Sequence, residues 1–349
     1  MIKVLLTDDS LVTRAILRDI FRASGDICVV GEAENGREAV AMTGLLKPDL
    51  IVMDLMMPVM DGLVAIEEIM AQAPTPILVL SATIDEKEVN HAFAAIKKGA
   101  LDVMEKPGGG IDGANGFGAR ICDKVRLLAR IKVIRRRRVG REKEEAGISF
   151  TGGHRNILAI GASTGGPKAV MSIIKALPAD LAATVFVVQH IASGFARGFT
   201  QWLGQESGIK VRLAEDRTLF RTGEVLVAPN DCHMVLEGGK VRLVQDAPVN
   251  CCRPSIDVFF NSLAAVHGAR TVGVLLTGMG RDGAQGLRRI KEQGGVTIAQ
   301  DEGSCAVFGM PKAAITLGAV DRVLPLARIP ETLTRLFAPK TEINLHKGE

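Results

Sequence analysis

Two long stretches of this sequence alternate short apolar runs with segments in which apolar residues recur every three or four positions. Such runs suit buried strands, and such spacing suits helices that pack on a sheet. Each stretch therefore predicts an α/β fold, a doubly wound parallel sheet with helices on its faces. The predicted strands are residues 2–6, 27–31, 50–53, 77–80 and 102–104 in the first stretch, and 157–160, 184–189, 225–228 and 272–276 in the second.

A glycine-rich break separates the two stretches. Pro107-Gly-Gly-Gly110 begins it, and a helical pattern at 117–134 then leads into the basic run Arg135-Arg-Arg-Arg138. In the second stretch, Gly238-Gly239 lies between two alternating runs and predicts a β-hairpin insert at 233–244. The predicted division is a first domain at 1–116, a helix with a basic linker at 117–153, a second domain at 154–340 and a tail at 341–349.

Composition narrows the class of protein and its location. Hydrophobic residues make up 47% and charged residues 23% of the 349 positions, as in ordinary globular proteins. No apolar run reaches the roughly 18 residues that cross a bilayer, and the acidic start does not suit a secretory signal. The 6 cysteines form no Cys-x-x-Cys pair. We therefore expect a cytoplasmic protein with free thiols.

Charged and hydroxyl side chains follow the predicted strands of the first domain. Asp8 and Asp9 follow the first strand, Asp54 the third, Ser81 ends the fourth and Lys106 follows the fifth. Because the carboxyl ends of parallel strands share one edge, these groups should gather there. Three carboxylates need a balancing cation, and Mg²⁺ prefers such oxygen ligands together with phosphate. The alternative is that the two adjacent aspartates only cap the first helix, which leaves the other three positions unexplained.

These positions make the first domain resemble the receiver domains of two-component response regulators. The motifs are Asp8-Asp9, Met53-Asp-Leu-Met-Met-Pro58 followed by Asp61-Gly62, Ser81-Ala82 and Lys106-Pro107. The resemblance implies a flavodoxin-like (βα)5 fold that is phosphorylated by a histidine kinase.

The receiver resemblance also implies roles for individual residues. Asp54 would accept the phosphoryl group, while Ser81 and Lys106 would contact it. One position departs from the pattern, since receivers commonly carry an aromatic switch residue where this chain has Val103. A rotating ring therefore cannot report phosphorylation here. The implied Mg²⁺ ligands are Asp8, Asp9, Asp54 and the backbone carbonyl of Met56.

A glycine-rich turn opens the second domain after its first strand, at Gly161-Ala-Ser-Thr-Gly-Gly-Pro-Lys168. It fits neither a Walker A loop nor a dinucleotide-binding fingerprint, because the glycine and lysine spacings differ. Gly161, Ser163 and Gly165 do fit the Gly-x-Ser-x-Gly turn that exposes a nucleophilic serine. On this motif alone, a nucleophile and a helix cap or phosphate loop remain about equally good interpretations.

Two further strand ends supply partners for such a serine. His190 ends the apolar run that begins at Val185, and Asp282 lies just past another apolar strand. Taken singly, the histidine could be structural and the aspartate a helix cap. Together with Ser163 they fit a nucleophile, a base and an orienting carboxylate. The chain order Ser, His, Asp disfavours an ordinary lipase or esterase.

The second domain resembles the catalytic domain of the chemotaxis protein-glutamate methylesterases. The motifs are Gly161–Gly166, Val188-Gln-His190, His233-Met234, Arg253-Pro-Ser-Ile-Asp257 and Thr277-Gly-Met-Gly-Arg-Asp-Gly283. The resemblance implies hydrolysis of glutamate methyl esters on chemoreceptors, with deamidation of glutamines, and contact with membranes only through those receptors. It assigns Ser163, His190 and Asp282 as the triad without a cofactor for the ester step, places Thr164 and Met279 in the site, and leaves the role of Arg253 open.

A rival interpretation is a non-catalytic response regulator whose second domain binds a partner or nucleic acid through the arginine run. The sequence shows no helix-turn-helix or zinc motif, and the run precedes the second domain rather than lying on it, which weighs against this interpretation. Such runs are more often solvated linkers or helix faces. We therefore expect no nucleic acid partner.

Overall fold

The computed structural model describes residues 1–81, 86–106, 116–131 and 155–338, with the side chains of 86–88 excepted. Most of the predicted linker, including Arg135–Arg138, the glycine-rich break before Gly116 and the predicted tail lie outside the described residues. Among the helices that are described, none combines the length and the apolar character needed to span a bilayer.

The first domain is built on a five-stranded parallel sheet in the order β2-β1-β3-β4-β5. Strands β3 and β4 are buried along their whole length, because helices cover both faces of the sheet. The predicted parallel α/β fold is confirmed. Its elements are β1 (Ile2–Thr7), α1 (Leu11–Ser24), β2 (Ile27–Ala33), α2 (Gly36–Leu46), β3 (Leu50–Asp54), α3 (Gly62–Gln72), β4 (Ile77–Ser81), α4 (Glu86–Lys98), β5 (Asp102–Glu105) and α5 (Phe117–Leu128).

Helix α5 lies in the segment predicted as a helix with a basic linker, and it packs on the first domain. Its apolar face, including Phe117, Ile121 and Val125, is buried against Leu6 and Phe21 in one core cluster. The helix also ends at Leu128, earlier than the helical pattern to 134 suggests. Apolar spacing identified the helix, but the sequence does not say which surface covers its apolar face. The division of the chain into domains stays a prediction.

The second domain carries a seven-stranded parallel sheet in the order β14-β13-β12-β6-β7-β9-β8, with a two-stranded antiparallel hairpin of β10 and β11 beside it. The hairpin confirms the predicted insert. Its elements are β6 (Ile157–Ala162), α6 (Gly166–Ala176), β7 (Thr184–Gln189), α7 (Phe195–Glu206), β8 (Lys210–Leu213), β9 (Glu224–Val227), β10 (His233–Glu237), β11 (Lys240–Val244), α8 (Ile256–His267), β12 (Thr271–Leu275), α9 (Ala284–Glu292), β13 (Val296–Gln300), α10 (Met310–Thr316), β14 (Arg322–Leu324) and α11 (Ile329–Phe337).

Three strands of this sheet were not predicted from the sequence. Strand β13 is wholly buried, whereas the edge strands β8 and β14 are partly exposed. The edge strands are only four and three residues long and contain arginine, so they lack the apolar run that identifies a buried strand. The sheet is therefore wider than predicted, while the strands that carry candidate site residues lie near its centre.

Helix α4 of the first domain packs against helix α7 of the second. The ring of Phe93 on α4 stacks on Trp202 with centroids 5.5 Å apart and contacts Phe199 at 5.7 Å. Gly198 leaves room for this approach, since a Cβ there would lie 2.0 Å from a methyl carbon of Val89. An ion pair of 2.5 Å between Lys97 of α4 and Glu206 of α7 also joins the two helices. The domains thus share an aromatic core.

Candidate active site and acidic pocket

The central strands of the second sheet bring Ser163 and His190 side by side. Ala162 at the end of β6 pairs with Gln189 at the end of β7, so the next residue on each strand is a candidate site residue. The His190 amide donates to the Ala162 carbonyl at 2.9 Å, and the Ser163 amide donates to the Thr277 carbonyl at 3.0 Å. Backbone pairing alone therefore sets the serine between the ends of β7 and β12.

The turn that carries Ser163 is held tightly by small residues and by Gln189. The Ser163 carbonyl accepts hydrogen bonds from the Gly166 amide and from Gln189 Nε2, both at 2.8 Å. Gly165 has φ of 74°, a left-handed conformation that favours glycine. A Cβ on Gly278 would lie 2.7 Å from the Ser163 Cβ. These contacts explain why glycines surround the serine.

Asp282 lies between β12 and α9 in the chain and is buried against the N-terminus of helix α8, with only 2% of its surface exposed. Burial alone would raise the pKa of Asp282, but hydrogen bonds from His190, Asn250 and Ser255 and the charge of His190 lower it to about 2. The group is therefore an ionised acceptor at neutral pH. Its oxygens accept from His190 Nε2 (2.9 Å), Ser255 Oγ (2.7 Å), Asn250 Nδ2 (2.9 Å) and the backbone N–H groups of Ile256 (2.7 Å) and Asp257 (3.2 Å).

The imidazole of His190 lies between Asp282 and Cys252. Because the carboxylate can only accept, Nε2 carries a proton and donates to it. The other ring nitrogen, Nδ1, lies 3.6 Å from Cys252 Sγ. Burial and the charge of Asp282 raise the pKa of the Cys252 thiol to about 12, so the thiol is protonated and donates to Nδ1. Among hydrogen bonds of the described residues, none joins the Ser163 hydroxyl to His190.

Sequence reasoning missed the segment that orients Asp282. Asn250 has φ of 52°, and its amide bridges Asp282 and Asp257 with hydrogen bonds of 2.9 Å each. Ser255 both caps helix α8 and donates to Asp282. Ser255 and Asp257 lie within the signature beginning at Arg253, and the serine cap was the one local signal available. Arg253 itself donates to the Asp246 carbonyl at 3.3 Å.

His233, in another of the signature motifs, is a structural residue. It is fully buried, and its Nδ1 accepts from the Ser255 amide at 3.1 Å. Nε2 consequently carries the proton and lies 3.1 Å from the Ala247 carbonyl. His233 thereby fixes the loop that presents Ser255 to Asp282, and both ring nitrogens are used in doing so.

The two predicted site-lining residues differ in their surroundings. Thr164 is buried, with 3% of its surface exposed, and its Oγ1 accepts from Lys124 Nζ of helix α5 at 3.0 Å. Lys124 also pairs with Asp102. Met279 is 55% exposed at the rim of the site. The turn beside Ser163 is thus tied directly to the first domain, which the sequence did not predict.

The predicted acidic residues of the first domain do gather at the carboxyl edge of its sheet. Carboxylate oxygens of Asp8, Asp9 and Asp54 lie within 4.8 Å of one another. Lys106 Nζ lies 2.9 Å from both Asp8 and Asp54. Burial, together with the charge of Asp8, raises the pKa of Asp54 even though Lys106 opposes the shift. These hard oxygen donors beside an open pocket fit Mg²⁺.

The pocket at this edge has a volume of about 170 Å³. Ser81 and the 57% exposed Met56 line it beside Asp9, Asp54 and Lys106, as the sequence predicts, and His91 of helix α4 also lines it. Val103 is buried in β5, where it pairs with Val79. The described lining of the pocket therefore includes a carboxylate cluster, a lysine and an imidazole.

Known proteins match both halves of the chain. A family model described as response regulator receiver domain matches residues 4–112, and one described as CheB methylesterase matches residues 158–333. The chain is 47% identical to protein-glutamate methylesterase/protein-glutamine glutaminase 2 of Anaeromyxobacter dehalogenans, covering 96% of this chain and 97% of that protein. It is 40% identical to the protein-glutamate methylesterase/protein-glutamine glutaminase of Archaeoglobus fulgidus, covering 97% and 99%.

A solved structure supports the same relationship for the second domain. The crystal structure of the Thermotoga maritima CheB methylesterase catalytic domain is 40% identical to this chain, with a TM-score of 0.51. The match covers 52% of this chain and 98% of that one. The chain therefore belongs to the CheB methylesterase family and carries a response regulator receiver domain ahead of the catalytic domain.

Proposed function

We propose that this chain hydrolyses glutamate methyl esters on chemoreceptors, releasing methanol, and also deamidates receptor glutamines, under control of phosphorylation at Asp54. The observation that carries the proposal is the pairing of β6 with β7, which sets Ser163 beside His190 while His190 Nε2 donates to Asp282 at 2.9 Å. Relatives that match nearly the whole chain bear both activities in their names.

The ester step uses Ser163 as nucleophile and His190 as base. Since Nε2–H is held by Asp282, Nδ1 must accept the serine proton, in place of the Cys252 thiol that donates to it in the resting structure. The serine oxygen attacks the ester carbonyl, and His190 returns the proton to the departing methanol. Water then attacks the acyl-enzyme with the same base, giving a glutamate carboxylate and regenerating the serine. With a glutamine substrate, ammonia leaves in place of methanol.

Backbone N–H groups stabilise the oxyanion of each tetrahedral intermediate. Donors at the start of helix α6, directly after Ser163, favour developing negative charge. The Met279 amide is a further candidate, because the turn at Gly278 passes beside the Ser163 Cβ. Removing one such donor typically costs about a hundredfold or more in rate.

In the receiver domain, Asp54 accepts the phosphoryl group. Mg²⁺ would be held by Asp8, Asp9, Asp54 and the Met56 carbonyl, and would neutralise phosphoryl charge. Lys106 Nζ is already 2.9 Å from Asp54 and can hold a phosphoryl oxygen, and the Ser81 hydroxyl can contact another. The phosphodonor is the chemotaxis histidine kinase.

Gating follows from the contacts between the two domains. The receiver reaches the nucleophile turn through Lys124 and Thr164 and packs on helix α7 through Phe93. These contacts favour a closed state in which the receptor helix cannot reach Ser163. Phosphorylation adds roughly one and a half to two negative charges at Asp54 and shifts the equilibrium toward an open state.

The test is methanol release from methylated receptor, measured with and without a small phosphodonor. Ser163→Ala should abolish release while leaving phosphorylation of Asp54 intact, because the receiver site lies in the other domain. Ser172→Ala, an exposed serine on the following helix, is the matched control and should behave as wild type. Near-normal turnover by Ser163→Ala would rule out the proposed nucleophile.

A second variant tests the gate. Asp54→Asn should take up no phosphoryl group and should lose stimulation by the donor while keeping basal methanol release. A mass increase from phosphorylation that persists in Asp54→Asn would show that another residue is the acceptor. Wild-type protein that is phosphorylated but not stimulated would rule out gating while leaving the esterase assignment intact.

A further inference from the structure

Among the described residues that line the pocket containing Asp54, one has a titratable side chain for which the receiver chemistry described above has no role. Asp9, Asp54, Ser81, Lys106 and Met56 all have places in phosphorylation or metal binding, whereas His91 does not. His91 is half-buried on helix α4. Among the hydrogen bonds of the described part of the chain, none involves its imidazole. The His91 imidazole can donate an N–H and can carry a positive charge. It therefore borders the phosphorylation site with its ring nitrogens available to bind a ligand.

The charges in the pocket indicate that the His91 imidazole would bind a phosphoryl group on Asp54. The Lys106 ammonium is already shared between Asp8 and Asp54, at 2.9 Å from each. A phosphoryl group on Asp54 brings three acceptor oxygens and roughly one and a half to two negative charges. The Ser81 hydroxyl is neutral, so His91 is the remaining described lining side chain that can contribute positive charge.

Helix α4 connects this pocket to the catalytic domain. Val89 and Phe93 lie two residues on either side of His91, which in a helix places them on roughly the opposite face. That face packs on α7, where Phe93 stacks on Trp202 at 5.5 Å and a Cβ on Gly198 would overlap Val89. A displacement of α4 toward the pocket would therefore disturb a tightly packed interface.

Helix α7 is in turn close to the catalytic base along the chain. It begins at Phe195, five residues after His190, and Phe195 contacts Phe93 with ring centroids 6.4 Å apart. Val103 occupies the position where an aromatic switch is expected and is buried in the sheet. A readout through α4 needs no such ring.

We propose that His91 is the residue that senses phosphorylation, donating an N–H to the phosphoryl group on Asp54 and thereby shifting helix α4 against helix α7. This inference rests on the proposed phosphorylation of Asp54. It assigns the signal to one side chain, whose two helix neighbours, Val89 and Phe93, form the interface with the catalytic domain. His91 is a positioning residue for the gate and takes no part in ester hydrolysis.

The first test uses full-length protein labelled with isotopic histidine, with His91→Gln used to assign the His91 ring signals. Mg²⁺ and beryllofluoride, which mimics an aspartyl phosphate, are added. We expect the His91 ring nitrogen signals to shift in wild type and to stay unchanged in Asp54→Asn. Ring signals that do not respond in wild-type protein that binds beryllofluoride would overturn the proposal.

The second test separates phosphorylation from activation. Compared with wild type at equal phosphoryl content, His91→Ala should lose roughly fivefold or more of the stimulation by phosphodonor, at the lower end of typical coupling between sites. His91→Gln keeps an N–H donor and should recover part of it. Asn90→Ala, an exposed neighbour on the same helix, is the control and should match wild type.

The outcomes distinguish this inference from the proposed function. Full stimulation of His91→Ala at wild-type phosphoryl content would overturn the role of His91 while gating by Asp54 stands. Wild-type protein that is phosphorylated without stimulation would refute the gate itself. In that case the His91 ring nitrogen signals still show whether His91 binds beryllofluoride. Signals that do not change would then overturn the proposed contact between His91 and the phosphoryl group as well.

Discussion

Replacement of Asp282 by asparagine tests the whole arrangement around the catalytic base. An amide keeps one acceptor oxygen, which is best used on the side where Ser255, Asn250 and the Asp257 amide donate. The new NH₂ group then meets the Ile256 N–H and His190 Nε2. The hydrogen bond from Ile256 to a charged acceptor is lost, at about 1.5–3 kcal/mol, and the one with His190 survives only as a neutral bond in the opposite direction, so the free energy of unfolding should fall by about 2 kcal/mol or more.

The same substitution reverses the tautomer of His190. Nε2 must then accept from the amide, so Nδ1 carries the proton and can no longer remove one from Ser163. Loss of the tautomer-fixing carboxylate in a serine triad typically costs about 10⁴-fold in turnover. We expect a loss of that order in methanol release, together with a lower thermal unfolding temperature. Both quantities should be measured on the same preparation.

A neighbouring buried carboxylate supplies the control for this substitution. Asp257 accepts from Asn250 and from the Gly286 amide but does not touch His190. Burial and the charge of Asp282 raise the pKa of Asp257, so Asp257→Asn should be tolerated far better in turnover. Ser255→Ala removes one donor to Asp282 and should perturb the site less. It is the variant to measure if Asp282→Asn does not fold. Turnover above about a tenth of wild type in Asp282→Asn, or an equal loss in Asp257→Asn, would refute the tautomer argument.

Three further predictions follow from the same contacts. The pKa of Asp282 is about 2 in the folded protein against an ordinary value of 3.8, so between these pH values the folded protein binds fewer protons than the unfolded chain. The free energy of unfolding of wild type should therefore fall by about 2 kcal/mol as pH falls from about 4 to about 2. An equal loss in Asp282→Asn, measured by denaturant titration, would contradict this. Lys124→Met removes the 3.0 Å hydrogen bond to Thr164 and should raise unphosphorylated methanol release roughly two- to tenfold, whereas unchanged basal activity would argue against an inhibitory contact. Gly278→Ala places a Cβ 2.4 Å from Met310 Sδ and 2.7 Å from the Ser163 Cβ, so turnover should fall at least about tenfold relative to a Gly44→Ala control on an open helix surface.

Much of the fold and of the candidate site was predictable from the chain alone. Apolar runs and three-to-four spacings follow from which residues a sheet buries, so they identified the central strands and the helices between them. Because parallel strands present their carboxyl ends at one edge, Asp8, Asp54, Ser163 and His190 could be assigned to two sheet edges. The strand pairing of Ala162 with Gln189 confirms that placement for the serine and the histidine.

Only the tertiary structure decided what surrounds those side chains. Asn250 and Cys252 lie far from His190 and Asp282 in the sequence, on a loop whose residues have no periodic pattern. The contact of Lys124 with Thr164 depends on how two separately built domains pack. Local sequence sets which backbone segments form strands and helices, because burial and periodicity act over a few residues. Side-chain partners separated by 30 residues or more are set by packing, and their choice appears only once the whole chain is folded.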